Sequence, residues 1–192
     1  MFHKRFFVYI CRQMLDTTEI IKKYYQEGSF LYEILTVHSH QVCDKALEIA
    51  RRHLELQLDK QFIAEAALLH DIGIFLCHAP KIHCFGTAQY IEHGYLGADI
   101  LRKEGLSRHA LVAERHTGTG ITLEQIVQQN LPLPRRSLEP ESLEEQVIGY
   151  ADKFYSKSKL NTEHSVEEIR AELLKHGKNR VEKFDKWHAI FG

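Results

Sequence analysis

Two neighbouring side chains in this sequence are of the types that bind metal ions. His70 and Asp71 follow an apolar helical pattern, and Gly73 comes two residues after them. At a helix end both side chains can turn toward one ion, which adjacent residues inside a helix cannot do. Neutral imidazole and ionised carboxylate are common ligands of divalent metals. The pair therefore predicts a metal site; the alternative is a buried histidine beside an aspartate that caps an ordinary helix.

Two further candidates lie on apolar faces of predicted helices, far from this pair in sequence. His38 shares a face with Val42, Ala46 and Ile49, which follow it at helical spacing. Asp152 lies on the apolar face of another helical pattern, where an unpaired carboxylate would be costly. We therefore expect a metal, a histidine or a basic side chain to compensate the charge of Asp152.

Together these residues resemble the HD superfamily of metal-dependent phosphohydrolases over about residues 30–158. The residues that match the superfamily pattern, in chain order, are His38, the doublet His70-Asp71 and the final aspartate Asp152. His93 and His116 are similar to the extra histidines of members that bind two metals. The resemblance implies an all-α fold and a divalent metal centre.

The resemblance also implies which residues would bind each metal. His38, His70, Asp71 and Asp152 would bind the first. Asp71 would be shared, His93 and His116 would complete a second metal site, and His70 and Asp71 would be the catalytic residues. Two metals about 3.5 to 4 Å apart can position a nucleophile and stabilise developing charge. Ligation by imidazole and carboxylate without thiolate favours iron or manganese, with zinc, magnesium, nickel and cobalt as alternatives.

The sequence departs from the superfamily pattern in two ways. Ile74 stands where members often have a lysine after the His-Asp-Ile-Gly run, which removes one phosphate contact. The chain also has no Gly-Tyr-Pro signature of members that cleave cyclic dinucleotides, so that activity is disfavoured. Other cations must then bind phosphate, although charged residues near helix ends are usually only solvated. The candidates are Arg115, Arg135, Arg136, Lys153 and Lys157.

The composition is that of a single globular domain with an ordinary core. The chain has 192 residues, of which 44% are hydrophobic, and a formal net charge of −1. This near-neutral charge provides no general attraction for nucleic acid or anionic membranes, so we expect no specific nucleic-acid binding and no membrane association. The four cysteines lack paired spacing and are expected to be reduced thiols, which predicts a cytoplasmic protein.

The first residues are predicted to be an extension that precedes the domain. Residues 1–15 contain an apolar run too short for a membrane anchor. Asp16 and Glu19 form a helix-capping pattern, which makes Met14 a candidate start of the natural chain. We therefore divide the sequence into an N-terminal extension and a helical domain that covers residues 16–192.

Helical patterns follow one another with short breaks, which predicts an all-α multi-helix bundle. Predicted helices cover about residues 17–27, 29–54, 87–104, 107–116 and 122–130; others begin at Asp59, Ser142 and Ser165, and a last one surrounds 181–187. No segment shows the alternation of a strand. The stretch 74–86 lacks helical periodicity and is predicted to be a loop, either a lid over the site or a surface excursion.

The leading hypothesis is a phosphohydrolase that uses a metal-activated water on a small phosphorylated metabolite, with a nucleotide preferred. A second hypothesis, of a different class, is a binding module that senses a nucleotide in a metal-supported pocket without turnover. A third is a histidine-rich structural protein whose motif matches are accidental, which the presence of all four core ligand types disfavours. A homo-oligomer is compatible with each hypothesis.

Overall fold

The computed structural model describes residues 15–192, and this part of the chain is all-α, as predicted. Its nine α-helices are α1 (Thr17–Lys22), α2 (Phe30–Arg52), α3 (Lys60–Leu69), α4 (His93–Lys103), α5 (Ser107–Arg115), α6 (Leu123–Gln128), α7 (Leu143–Asp152), α8 (Val166–Leu174) and α9 (Lys178–Phe191). None of these helices is long and apolar enough to cross a membrane. The predicted extension and the candidate start Met14 lie outside the described residues, apart from Leu15.

Polar caps begin most of these helices where the sequence predicted them. Asp16, Ser29 and Asp59 accept hydrogen bonds from backbone N–H groups in the first turns of α1, α2 and α3. The capping box that begins α6, and the one that begins α8, each have both reciprocal hydrogen bonds. Ser142 caps α7, but the Glu145 side chain accepts from the backbone N–H of Glu141 instead of completing a box.

Two short antiparallel hairpins interrupt the helices, so the expectation that no strands occur was wrong. Strand β1 (His78–Ala79) pairs with β2 (Cys84–Phe85), and β3 (Tyr155–Ser156) pairs with β4 (Lys159–Glu163). Three of the four strands have only two residues, which is too short for alternation to be visible in sequence.

Several predicted helix bounds were also wrong. Helix α4 begins at His93, not at 87, because Tyr90–Glu92 form a separate 3₁₀ turn. Helix α1 ends at Lys22, five residues before the predicted end. Terminal turns are held by few hydrogen bonds, so sequence patterns locate them poorly.

Two large apolar clusters of the core meet along α2 and α3, and a third, smaller cluster surrounds Ile126 of α6. The first cluster packs these helices against α7, α8 and α9, and includes Val42 and Ala67. The second packs α1, α4, α5 and the segment after α3, and includes Leu35 and Leu69. His38 therefore lies on α2 between a residue of each cluster. The last two helices pack into the core as predicted, through Ile169, Leu173, Phe184, Trp187 and Phe191.

The segment 74–86 is a packed part of the fold and not a surface excursion. It consists of two 3₁₀ turns and the β1–β2 hairpin. Ile74, Cys77 and Cys84 have no exposed surface, and they belong to the second cluster or lie beside it. The hairpin also contributes Ala79 and Lys81 to the wall of a cavity described below. This segment therefore forms a wall of that cavity, and burial explains its isoleucines and cysteines, whereas Phe85 is exposed.

Gly73 brings the residue pair His70-Asp71 close to the start of α4. A β-carbon at Gly73 would lie 2.3 Å from the carbonyl oxygen of His93 and 2.4 Å from the nitrogen of Gly97. Both are backbone atoms, so neither can move aside without shifting α4. The glycine is therefore required by the close approach of two backbones.

We expect Gly73→Ala to destabilise the protein by about 3 kcal/mol, at the upper end of typical overpacking costs. Thermal or urea unfolding, followed by circular dichroism, measures the effect. Gly28→Ala is a useful comparison, because no atom lies within 4 Å of a β-carbon there, and only its positive φ of 79° is unfavourable. A Gly73→Ala variant as stable as the wild type would show that α4 does not pack against this turn as described.

Candidate metal centre

One group of side chains unites three separate parts of the chain. His38 comes from the middle of α2, His70 and Asp71 directly follow α3, and Asp152 is the last residue of α7. Nε2 of His38 lies 3.0 Å from Oδ1 of Asp152 and 3.2 Å from Oδ2 of Asp71. Nε2 of His70 lies 3.1 Å from the same Asp71 oxygen. All four side chains are buried, and their potential ligand atoms lie within 4.8 Å of one another.

A second group adjoins the first and shares Asp71 with it. His93 is the first residue of α4, and His116 directly follows α5. Their Nε2 atoms lie 3.0 Å apart, at 3.3 and 3.4 Å from Oδ1 of Asp71. One carboxylate oxygen of Asp71 thus faces each group, the arrangement expected of a ligand that bridges two cations.

Backbone carbonyls fix the orientation of three of the four imidazoles. In each, the Nδ1–H group donates to the carbonyl oxygen three residues earlier, and Nε2 points toward Asp71. These hydrogen bonds join His70 to Ala67 at 2.6 Å, His93 to Tyr90 at 2.6 Å, and His116 to Ala113 at 2.8 Å. Such bonds typically hold metal-binding histidines in the tautomer whose other nitrogen can bind an ion. His38 differs, because its buried Nδ1 has no hydrogen-bond partner among residues 15–192.

The charges of this cluster favour a bound cation. Burial alone would raise the pKa of Asp71, but His70 and Lys157 outweigh it and hold that pKa well below its usual value. Burial likewise opposes a charged His70, yet Asp71 and Asp152 outweigh it and raise its pKa to about 9. At His93 burial dominates and lowers the pKa to about 3. Without a metal ion the first group therefore holds a proton on His70, which a bound ion would replace at Nε2, whereas His93 is neutral, as a ligand must be.

The donor set passes a direct test of fit to metal ions. Oδ1 of Asp71 and Nε2 of His70 are buried and make no well-formed hydrogen bond within residues 15–192, whereas Oδ2 of Asp71 has the ammonium group of Lys157 at 2.6 Å. Buried polar atoms without such partners are costly, so they indicate a ligand. The alternative role of Asp71 as a helix cap is wrong, since its oxygens face the imidazoles. The mixed imidazole and carboxylate set suits a divalent transition metal.

Two of the predicted phosphate-binding cations lie beside this cluster. The ammonium nitrogen of Lys157, in the turn between β3 and β4, is 2.6 Å from Oδ2 of Asp71. That of Lys153 is 2.7 Å from Oδ2 of Asp152. Burial opposes the charge of Lys157, but Asp71 and Tyr90 outweigh it and raise its pKa. The neighbouring carboxylates therefore favour the charged form of Lys157.

The three predicted arginines have other surroundings and do not line the cavity beside the cluster. Arg115 forms ion pairs with Glu141 and Glu145, at 3.1 and 3.0 Å. Arg136 pairs with the buried Glu114, and Arg135 is exposed. Arg115 and Arg136 thus hold the segment before α7 against α5.

A cavity of about 730 Å³ opens beside Asp152, Lys153 and Lys157. Its other walls are the β1–β2 hairpin, the β3–β4 hairpin and one face of α8. Lys81 and Lys159 line it as well, and sequence reasoning missed both. No pattern in the sequence could have identified them, because they lie far apart in segments without periodicity and meet only through the fold.

Comparisons with known proteins agree with this geometry. A model of the family described as HD domain matches residues 36–157, which include both groups of candidate ligands. No solved structure matches the chain.

Relatives of the chain include proteins of two descriptions. The tRNA (cytidine(56)-2'-O)-methyltransferase of Thermoplasma volcanium is 32% identical over 165 residues, which are 85% of this chain and 44% of that protein. The protein of the same name from Picrophilus torridus is 36% identical over 53% of this chain and 26% of its own length. An uncharacterized protein of Methanocaldococcus jannaschii is 36% identical over 62% of this chain and 65% of its own. The chain thus spans less than half of either methyltransferase. The match over residues 36–157 shows that the chain belongs to the HD domain family.

Proposed function

We propose that this chain is a metal-dependent phosphohydrolase that acts on a small phosphorylated metabolite, with a nucleotide as the preferred class. The observation that carries the proposal is the sharing of Asp71 between two buried groups of ligands at the edge of a lysine-lined cavity. His38, His70, Asp71 and Asp152 would hold one cation. Asp71, His93 and His116 would hold the other. We favour iron or manganese, because neither group contains a thiolate.

Cations bound at such a centre supply Lewis acidity and lower the pKa of a water. In the net reaction the water oxygen forms a bond to phosphorus, the bond from phosphorus to the leaving oxygen breaks, and one proton passes from water to the leaving group. The hydrogen bonds of the Nδ1 atoms keep the imidazoles in place during this exchange.

Lys157 and Lys153 supply the positive charge that the substrate needs on the cavity side. The ammonium group of Lys157 can bind a phosphoryl oxygen or donate a hydrogen bond to the leaving oxygen. From the β3–β4 turn, Lys157 would supply the phosphate contact that is lost because Ile74 stands in place of a lysine. A cavity of about 730 Å³ lies within the range of sites for molecules of nucleotide size.

The second candidate is a module that binds a nucleotide without turnover. It is favoured by the names of the relatives, which describe methyl transfer to tRNA and not hydrolysis. Those names belong to proteins that are more than twice the length of the matched region.

Turnover by metal-loaded protein distinguishes the two candidates. We expect protein reconstituted with manganese or iron(II) to hydrolyse p-nitrophenyl phosphate or a nucleotide from a panel of mono-, di- and triphosphates, with phosphate release that chelator abolishes. Equilibrium binding of the same nucleotides is measured in parallel. Tight binding with no release of phosphate from any substrate would refute the hydrolase and support the binding module.

A further inference from the structure

Four lysines line the cavity beside the metal centre. Lys153 and Lys157 contact Asp152 and Asp71, at the inner end. Lys81, in a 3₁₀ turn of the first hairpin, and Lys159, the first residue of β4, also line the cavity. Lysines from two separate hairpins thus surround one space.

The outer two lysines differ from the inner two in having no acidic partner. Within the part of the chain that the structure describes, no carboxylate lies at ion-pair distance from Lys81 or Lys159. The fold nevertheless fixes where both emerge, because Ile82 beside Lys81 is buried and Lys159 pairs with Ser156 across the β3–β4 hairpin. Ammonium groups that line one cavity repel one another, and an anionic ligand would relieve this repulsion more completely than the exposed carboxylates of Glu168 and Glu172 do.

The wall formed by α8 has a different character. Ile169 and Leu173 present apolar surface there, and His164, Glu168 and Glu172 are the polar residues of this wall. Carboxylates repel phosphate but accept hydrogen bonds from hydroxyl and amino groups. The cavity therefore suits a ligand whose anionic part lies at the lysines and whose organic part lies along α8.

We propose that Lys81 and Lys159 bind a second phosphate of the substrate, which makes the substrate an organic di- or triphosphate and not a monophosphate. The inference rests on the proposed function for the identity of the reacting group. The terminal phosphate of the substrate lies at the metal centre with Lys153 and Lys157, and it is the phosphate that reacts. The neighbouring phosphate of the substrate contacts Lys81 and Lys159. The reaction is then hydrolysis of a phosphoanhydride. Water forms a bond to the phosphorus at the metal centre, the bond from that phosphorus to the bridging oxygen breaks, and the bridging oxygen leaves with a proton.

The test compares two ligands that cannot be hydrolysed, methylphosphonate and methylenediphosphonate, by calorimetric titration of manganese-loaded protein. The variants are Lys81→Ala, Lys159→Ala and the double variant. Lys186→Ala is the matched control, since Lys186 is exposed on α9 and lies outside the cavity. We expect wild type to bind the diphosphonate more tightly than the monophosphonate. Each cavity substitution should weaken the diphosphonate by about 10-fold, the value of one charged hydrogen bond.

The same substitutions should change the affinity for methylphosphonate by less than about 3-fold, because the outer lysines would not touch a single phosphonate. Equal affinity of wild type for the two ligands, or unchanged diphosphonate binding in the double variant, would overturn the inference. So would an equal loss for both ligands. Turnover is not needed for any of these results. A protein that hydrolyses only monophosphates would thus refute the second-phosphate site and leave the hydrolase intact.

Discussion

Asp71→Ala is expected to abolish metal retention and hydrolysis together. One oxygen of this carboxylate faces His38 and His70, and the other faces His93 and His116. Its removal therefore takes a ligand from both groups at once. We expect kcat/KM to fall by more than about 1000-fold, because the loss of a single charge-stabilising group at an active site already costs 100- to 1000-fold. Elemental analysis and phosphate release measure the two effects.

The control for this experiment is Asp44→Ala, which removes the same side chain from an exposed position of α2. It should keep full metal content and activity. Circular dichroism of the Asp71 variant checks that its helices still form. If the folded Asp71→Ala protein retained two equivalents of metal, the carboxylate would not be a bridge, and the two groups would be independent or structural.

Asp152→Asn should reduce metal affinity while the fold persists. The amide keeps the shape of the side chain and one carbonyl oxygen, but it removes the negative charge that faces His38 and His70. The loss of affinity should be at least about 100-fold, since even residues that only support a ligand cost 10- to 100-fold. Competition with a metal-binding dye measures this change.

If Asp152 has only a structural role, the substitution should instead lower the stability of the protein. Removal of one partner from a buried ion pair costs about 3 to 5 kcal/mol, and this loss would appear in metal-free protein as well. Melting curves of wild type and variant, with and without chelator, separate the two roles. Asp185→Asn is the matched control, because it breaks the partly exposed pair with Arg170 and should change neither metal content nor stability by much. An equal stability loss in the metal-free forms, with metal content unchanged, would remove Asp152 from the centre.

The sequence was most informative about the residues that lie inside the bundle. His38 and Asp152 could be found because a polar side chain on an apolar helical face is rare and costly. His70 and Asp71 stood out because two ligand types adjoin at a helix end. Helical periodicity also placed the two final helices in the core, where Phe184 and Trp187 pack.

The cavity could not be predicted in the same way. Lys81 and Lys159 are surface residues of short hairpins, and no periodic pattern distinguishes them from solvated lysines. Arg115 was one of the candidate cations for phosphate, and the fold pairs it with Glu141 and Glu145. Which cations are free for a ligand depends on the acidic residues that the fold brings to them, and sequence spacing carries no information about that.

Crystals grown with manganese and measured near the manganese absorption edge test the central claim most directly, because anomalous scattering locates the ions without any assumption about activity. The account predicts two peaks, one on each side of the Asp71 carboxylate, with His38, His70 and Asp152 around one and His93 and His116 around the other. Protein loaded to saturation that shows no peak within ligand distance of Asp71 would contradict it.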